Sequence, residues 1–161
     1  AACEVILVKM GTNEQGRRWL IPVAGGPDAL YATQYVKAIA ATTDKTEAVV
    51  CQVFPPHSRL PKATTGMLKA IQALKPVLGD RVQPLCRIHD SVPQVVLREA
   101  KHYGTDIILM GVSRDGLLRQ VVNGNIPEQI ARQSTCTVML VRSPLDAQTP
   151  QRDLPSNLRR P

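Results

Sequence analysis

Short apolar runs alternate with segments of helical periodicity along most of this chain, and each change of period carries turn residues. That alternation is the pattern of consecutive β-α-β units, which lay parallel strands side by side beneath helices. Five runs read as strands: Trp19 to Val23, Ala48 to Phe54, Val82 to Ile88, Asp106 to Gly111, and Thr137 to Arg142. Hydrophobic residues make up 43% of the chain and aromatics only 3%, so the interior is aliphatic, as suits parallel strands buried on both faces. A length of 161 residues fits one such domain with tails, and a second full core does not fit beside it.

The intervening segments predict four helices. Pro27 suits a first helical turn, and Leu30, Val36, Ile39 and Ala40 recur at spacings that build one apolar face. A second helix is expected from about Thr65 to Leu78 with Leu68, Ile71, Leu74 and Leu78 inward, kinked or shortened at Pro76. Asp90 or Ser91 caps a third, whose Val92, Val95, Val96 and Ala100 face the sheet and whose stop is Gly104. Asn125 followed by Glu128, with Pro127 in the first turn, forms a capping-box pattern for a fourth.

The formal charge is +7, of which +2 falls from Arg142 onward. No Lys/Arg run is interleaved with stacking aromatics, so no nucleic-acid partner is expected. Cys3, Cys51, Cys86 and Cys136 form no CxxC pair and have no histidine at ligand spacing; they read as reduced core cysteines rather than a zinc or redox site. No apolar stretch approaches the roughly 20 residues that cross a bilayer, and no leader pattern opens the chain, so a cytoplasmic location is expected. Residues 144–161 read as a disordered tail, because Pro and charge dominate there, and Ser58 to Thr64 as a surface loop.

One repeat stands out. Cys3 to Lys9 reads CEVILVK and Cys136 to Arg142 reads CTVMLVR, with four of seven positions identical. Either two apolar strands coincide, or residues 1–18 hold the last strand of a preceding, similar domain plus a linker, leaving 19–143 as the domain proper. Val5 to Val8 is too apolar to stay exposed, so this extra N-terminal strand is expected to join a sheet edge, its own or a partner's.

In an open parallel sheet, ligands bind beyond the carboxyl ends of the strands where the winding direction reverses. Two loops qualify here: Ala24 to Asp28, and Gly111 to Asn125, which reads GVSRDGLLRQVVNGN. Gly124 lies immediately before a helix start whose amides could hold a phosphate, although glycines also end strands and precede helices for conformational reasons alone. Ser113 and Asp115 sit in the second loop without a recognisable general base, and of His57, His89 and His102 only His89 falls near the ligand edge.

Taken in order, IPVAGGPDA, then CRIHDSVPQVVLREAKHYGTDIILMG, then GVSRDG to NGN followed by CTVMLVR, resemble the universal stress protein domain from Trp19 to about Ser143. The resemblance implies a doubly wound five-stranded parallel sheet with helices on both faces, and a regulatory or sensory role without catalysis. It implies a homodimer joined through edge strands, in some members inside the cytoplasmic part of a transporter or channel. Its ATP-binding pattern, G-x2-G-x9-G-[S/T], falls on Gly111, Arg114, Gly124 and Asn125, and the nucleotide-contacting acid of the first strand falls on Ala24, beside Gly25. Arg114 crowds a position where glycine allows close approach, Asn125 replaces a hydroxyl residue, and Ala24 offers no acceptor, so the loop is expected to be degenerate. Arg114 and Arg119 keep an adenine nucleotide or another anion open as a ligand.

Two other classes compete. AGGPDA resembles the SGGxDS loop of ATP pyrophosphatases but departs at Ala24 and Ala29, where both serines are lost. A pure docking scaffold is the third reading, and a stress protein with a working ATP or AMP site is the nearest alternative.

Overall fold

The computed structural model describes residues 5–12, 15–24, 27–43, 45–58, 64–112 and 125–142. Its strands are β1 (Val5–Lys9), β2 (Arg18–Pro22), β3 (Glu47–Phe54), β4 (Val82–Ile88), β5 (Ile107–Gly111) and β6 (Thr137–Arg142). Its helices are α1 (Pro27–Ala40), α2 (Thr65–Leu78), α3 (Val92–His102) and α4 (Ile126–Gln133). The strands form one sheet in the order β1-β6-β5-β2-β3-β4. All five strands from β2 to β6 run parallel, and only β1 is antiparallel, against β6. The chain winds outward from β2 through β3 to β4, then returns to β5 on the other side of β2, so the switch point lies between β2 and β5.

Alternation along β2 explains the two-layered core. Trp19, Ile21 and Val23 pack on one face with α1 and α2, and Leu20 packs on the other with α3 and Ile130 of α4. Both faces are buried, as the aliphatic composition requires.

Two helix faces differ from the sequence expectation. On α1 the buried positions are Ala29, Ala32, Thr33 and Val36, and Leu30 is 37% exposed. On α2 they are Met67, Ala70, Leu74 and Leu78, and Leu68 is 49% exposed. Alanines on the sheet side let both helices sit close, so the larger leucine one position away turns outward. Pro76 does not break α2, which runs on to Leu78. A proline in the last turn removes a single intrahelical donor and leaves the preceding turns intact.

Helix starts follow their sequence signals. The Thr64 hydroxyl accepts from the Met67 amide and donates to Gln52 Oε1, tying α2 to β3. Ser91 accepts from the Gln94 amide. After α3, Gly104 has φ of +56°, a conformation that a side chain would strain, and Thr105 N then donates to Ala100 O as the chain enters β5.

Two buried carboxylates hold the fold at positions the apolar patterns passed over. Asp106 accepts from the Arg17 and Arg18 amides at 2.9 and 3.0 Å, fastening the starts of β2 and β5 together. Glu99, on the sheet-facing stripe of α3, receives Arg87 Nε at 2.9 Å and Arg98 at 3.0 Å. Burial pushes the Glu99 carboxyl up, but the two arginines outweigh it and hold the group below its ordinary value of 4.5. A depressed folded value stabilises the protein above pH 4.5, and the stabilisation disappears as pH falls through the folded value. Acid unfolding followed by circular dichroism should therefore steepen below that pH, and Glu99→Gln should flatten the limb. An unaltered limb in the variant would show that other carboxylates set it.

Candidate functional site

The crevice at the switch point begins with a proline. Asp106 N donates to Arg18 O, so the even-numbered residues of β2 face β5, whereas Val23 N donates to Cys51 O on β3. Pro22 thus turns toward β5 a nitrogen that carries no hydrogen. Pairing between the two strands stops after Trp19↔Ile107 and Leu20↔Ile108. Beyond that point β2 stays with β3 and β5 stays with β6, through Pro22↔Cys51 and Gly111↔Val141. Val112 N extends the second attachment by donating to Val141 O at 2.9 Å.

Of the residues singled out in the sequence, Ala24 stands exposed just past the end of β2, Gly111 ends β5, and Asn125 caps α4. Gly25, Ser113, Arg114 and Gly124 lie outside the described residues, as do Asp115 and Arg119. Asn125 performs the capping role that its spacing to Glu128 predicts: its Oδ1 accepts from Glu128 N at 3.2 Å, and its Nδ2 donates to Glu128 Oε2 at 3.1 Å.

That self-capping limits what α4 can offer an anion. A helix start attracts phosphate through amides that have no partner. Here Pro127 has no N–H, Glu128 N is given to Asn125, and the Glu128 carboxylate adds negative charge to the first turn. Arg132 neutralises part of that charge through a 2.7 Å ion pair.

His89 is not part of the crevice. It follows β4, the edge strand two positions from β2, where its Nδ1 accepts from Ser91 N at 2.9 Å and lies 3.0 Å from Asp90 Oδ1. These contacts make it a loop residue that orders the start of α3. Cys51, buried beneath α3, has its thiol pushed up to about 12, chiefly by burial and then by the Glu99 carboxylate, and so stays protonated and unreactive at neutral pH. Among the described residues no group of three or more His, Cys, Asp or Glu side chains is placed to hold a metal ion. No helix among them is long and apolar enough to cross a membrane.

Two cavities open on this sheet. One of about 590 Å³ lies at the amino end of the strands, between Arg18, Lys101, Thr105 and Ser134, the end opposite the crevice. Helix carboxyl ends line it, and their carbonyls disfavour anions there. The other, about 410 Å³, runs between α4 and the β1–β6 seam, with Leu7 and Leu140 on its floor and Asn125 and Glu128 at its rim.

A parallel sheet wound both ways from β2, with its crevice at the carboxyl end of the switch point, defines a doubly wound α/β domain of the type that commonly hosts nucleotides. Residues 16–142 match the model of the universal stress protein family, and the chain belongs to that family. Solved structures agree on the fold. A universal stress protein from Archaeoglobus fulgidus superposes with a TM-score of 0.66 at 18% identity, over 88% of this chain and 51% of that one. A universal stress protein in complex with cAMP gives 0.65 at 15% identity, over 80% and 98%. One from Lactobacillus plantarum gives 0.63 at 15% identity, over 81% and 100%. No curated protein matches the chain in sequence.

Proposed function

We propose that this is a non-catalytic regulatory domain whose nucleotide crevice has lost its grip and whose output is association through the β1–β6 side of the sheet. The observation that carries the reading is the start of α4, where Pro127 supplies no donor, the Glu128 amide is already given to Asn125, and a carboxylate stands where a phosphate would need positive potential. Ala24 supports it from the facing strand end, since a methyl group cannot accept from a ribose hydroxyl. The described residues around the crevice, Val23, Ala24, Gly111, Val112 and Asn125, include no acid–base pair for phosphoryl or adenylyl transfer.

The competing reading, a working adenine-nucleotide sensor, draws its support from the relative that holds cAMP. Incubation with ATP and magnesium, followed by analysis of the products and of nucleotide extracted from the purified protein, separates the two. We expect neither phosphate nor pyrophosphate to accumulate and no nucleotide to be extracted. Stoichiometric adenine nucleotide in the extract would replace docking with sensing, and pyrophosphate release would make the domain an enzyme.

A further inference from the structure

We infer that the amino end of the sheet is a basic face that docks on an anionic lipid surface. The inference is independent of the crevice, which lies at the opposite end, and of whatever pairs with β1.

The face follows from topology. Each helix returns antiparallel to the strands, so all four helices end where the parallel strands begin. Every helix carries a cation in its last turn: Lys37 in α1, Lys75 in α2, Lys101 in α3 and Arg132 in α4. The strand starts add Arg17 and Arg18 at β2, Lys45 before β3 and Arg81 before β4. Lys9 joins them from the last residue of β1, opposite Val138. Nine of the thirteen described Lys and Arg residues gather at this end, so the positive charge is concentrated there and not spread over the surface.

Helix dipoles explain only part of this. They favour the four last-turn cations, and Lys9 and Arg81 also serve helix ends by donating to Ser134 O and Leu78 O. Arg17, Arg18 and Lys45 stand at strand starts, where a sheet has little net dipole to attract them. Arg18 lies 3.7 Å from Asp106, but that carboxylate already accepts from two backbone amides. Arg17, Lys37, Lys45, Lys75 and Lys101 make no ion pair among the described residues. The described acids at this end are Glu47, Asp80 and Asp106; with Glu14 and Asp44, from outside the described residues, counted as well, the cations still lead nine to five. About half a charge from each helix end lowers that excess without reversing it. The same carbonyls keep a small anion out of the cavity at this end, whereas the side chains that reach past them meet an extended surface.

The spread of the cations selects the partner. They reach from Lys9 at the β1 edge to Arg81 at the β4 edge, about 24 Å across six strands. They also lie on both sides of the sheet, under α1 and α2 on one and under α3 and α4 on the other. A peptide or a nucleic-acid duplex is a rod and would reach only part of such a face, whereas a bilayer is a plane of negative charge that meets all of it. Two exposed apolar side chains stand among the cations, Met10 at 74% and Val77 at 37%. They can enter the headgroup layer while the lysines and arginines meet the lipid phosphates.

The test is sedimentation of the protein with vesicles in about 0.1 M salt, phosphatidylcholine alone against phosphatidylcholine with about 40% phosphatidylserine. We expect at least about tenfold stronger partition onto the anionic vesicles, abolished in about 0.5 M salt. Lys75→Glu combined with Lys101→Glu should weaken that partition about tenfold or more. Lys69→Glu combined with Arg142→Glu changes the net charge equally, but Arg142 lies at the opposite end and Lys69 about 13 Å back from the end of α2, beyond a Debye length of about 10 Å. That pair should change partition by no more than about threefold. Equal losses in the two pairs would overturn the inference, because net charge and not this face would then be the cause. So would equal partition onto both kinds of vesicle, or partition onto neither. Retention on double-stranded DNA in the same salt, without vesicle binding, would also overturn it and make nucleic acid the partner.

Discussion

Trp19→Ala is expected to remove about 3–5 kcal/mol of stability. Trp19 is 1% exposed and lies in the core formed by β2, α1 and α2. Its Nε1 also donates to Gly16 O at 3.0 Å, which fixes the approach to β2. Truncation leaves a cavity the size of an indole beneath two helices already held close by alanines, so little collapse is available to fill it. Domains commonly have only about 5–15 kcal/mol in total, so the variant should unfold at much lower urea with an unchanged m-value. Trp19 is the single tryptophan, so the transition must be followed by circular dichroism. Trp19→Phe keeps most of the volume and loses the hydrogen bond, and should cost only about 1–2 kcal/mol. Equal losses in the two variants would mean that the bond, and not the packing, dominates.

Gly11→Ala is expected to cost about 2–3 kcal/mol and to act on one seam. A methyl carbon at Gly11 would stand 2.3 Å from both Cys136 C and Thr137 N and 2.6 Å from Thr135 O. All three are backbone atoms at the start of β6, so the glycine segment must move instead. Moving it forfeits two bonds that clasp the linker to the sheet, Gly11 N to Thr137 Oγ1 and Thr12 N to Thr135 O, each 3.0 Å. Thr137→Val removes the first acceptor alone and should cost about 1 kcal/mol. Hydrogen exchange should accelerate in β1 in Gly11→Ala while β2 to β5 keep their protection. Uniform acceleration would show that the seam is not a separate unit.

The outline of this fold was legible because period and punctuation agreed. Alternating strand and helix patterns, the Ser91 cap and the Asn125–Glu128 spacing each marked an element that the structure contains. The faces of α1 and α2 were less legible, because a count of large apolar residues favours Leu30 and Leu68 over the alanines that lie on the sheet. Glu99 was hidden for a related reason. It occupies the same stripe as Val95 and Val96, but a charged residue in a stripe reads as solvated until its arginine partners are seen.

The site was legible in position rather than in detail. Chain order alone places Ala24 and Gly111 at the two strand ends that border the switch point, and the structure finds them there. The opening role of Pro22 depends on which way its nitrogen faces, a matter of register that neighbouring residues do not disclose. The N-terminal strand was recognisable as a repeat, but only its pairing shows that the two copies meet about their common centre.

Thermal unfolding with added ATP tests most directly whether the switch-point crevice holds a nucleotide. A site with a dissociation constant of about 10 μM, in about 1 mM ATP, would contribute roughly 2.7 kcal/mol. That would raise Tm by on the order of 5–10 °C in a domain of this size. We predict a shift below about 1 °C, no greater than that produced by an equal concentration of inorganic pyrophosphate, because an unspecific anion effect is all that remains. A rise of several degrees that saturates with ATP, and that pyrophosphate does not reproduce, would contradict the account and return the domain to the nucleotide-sensing members of its family.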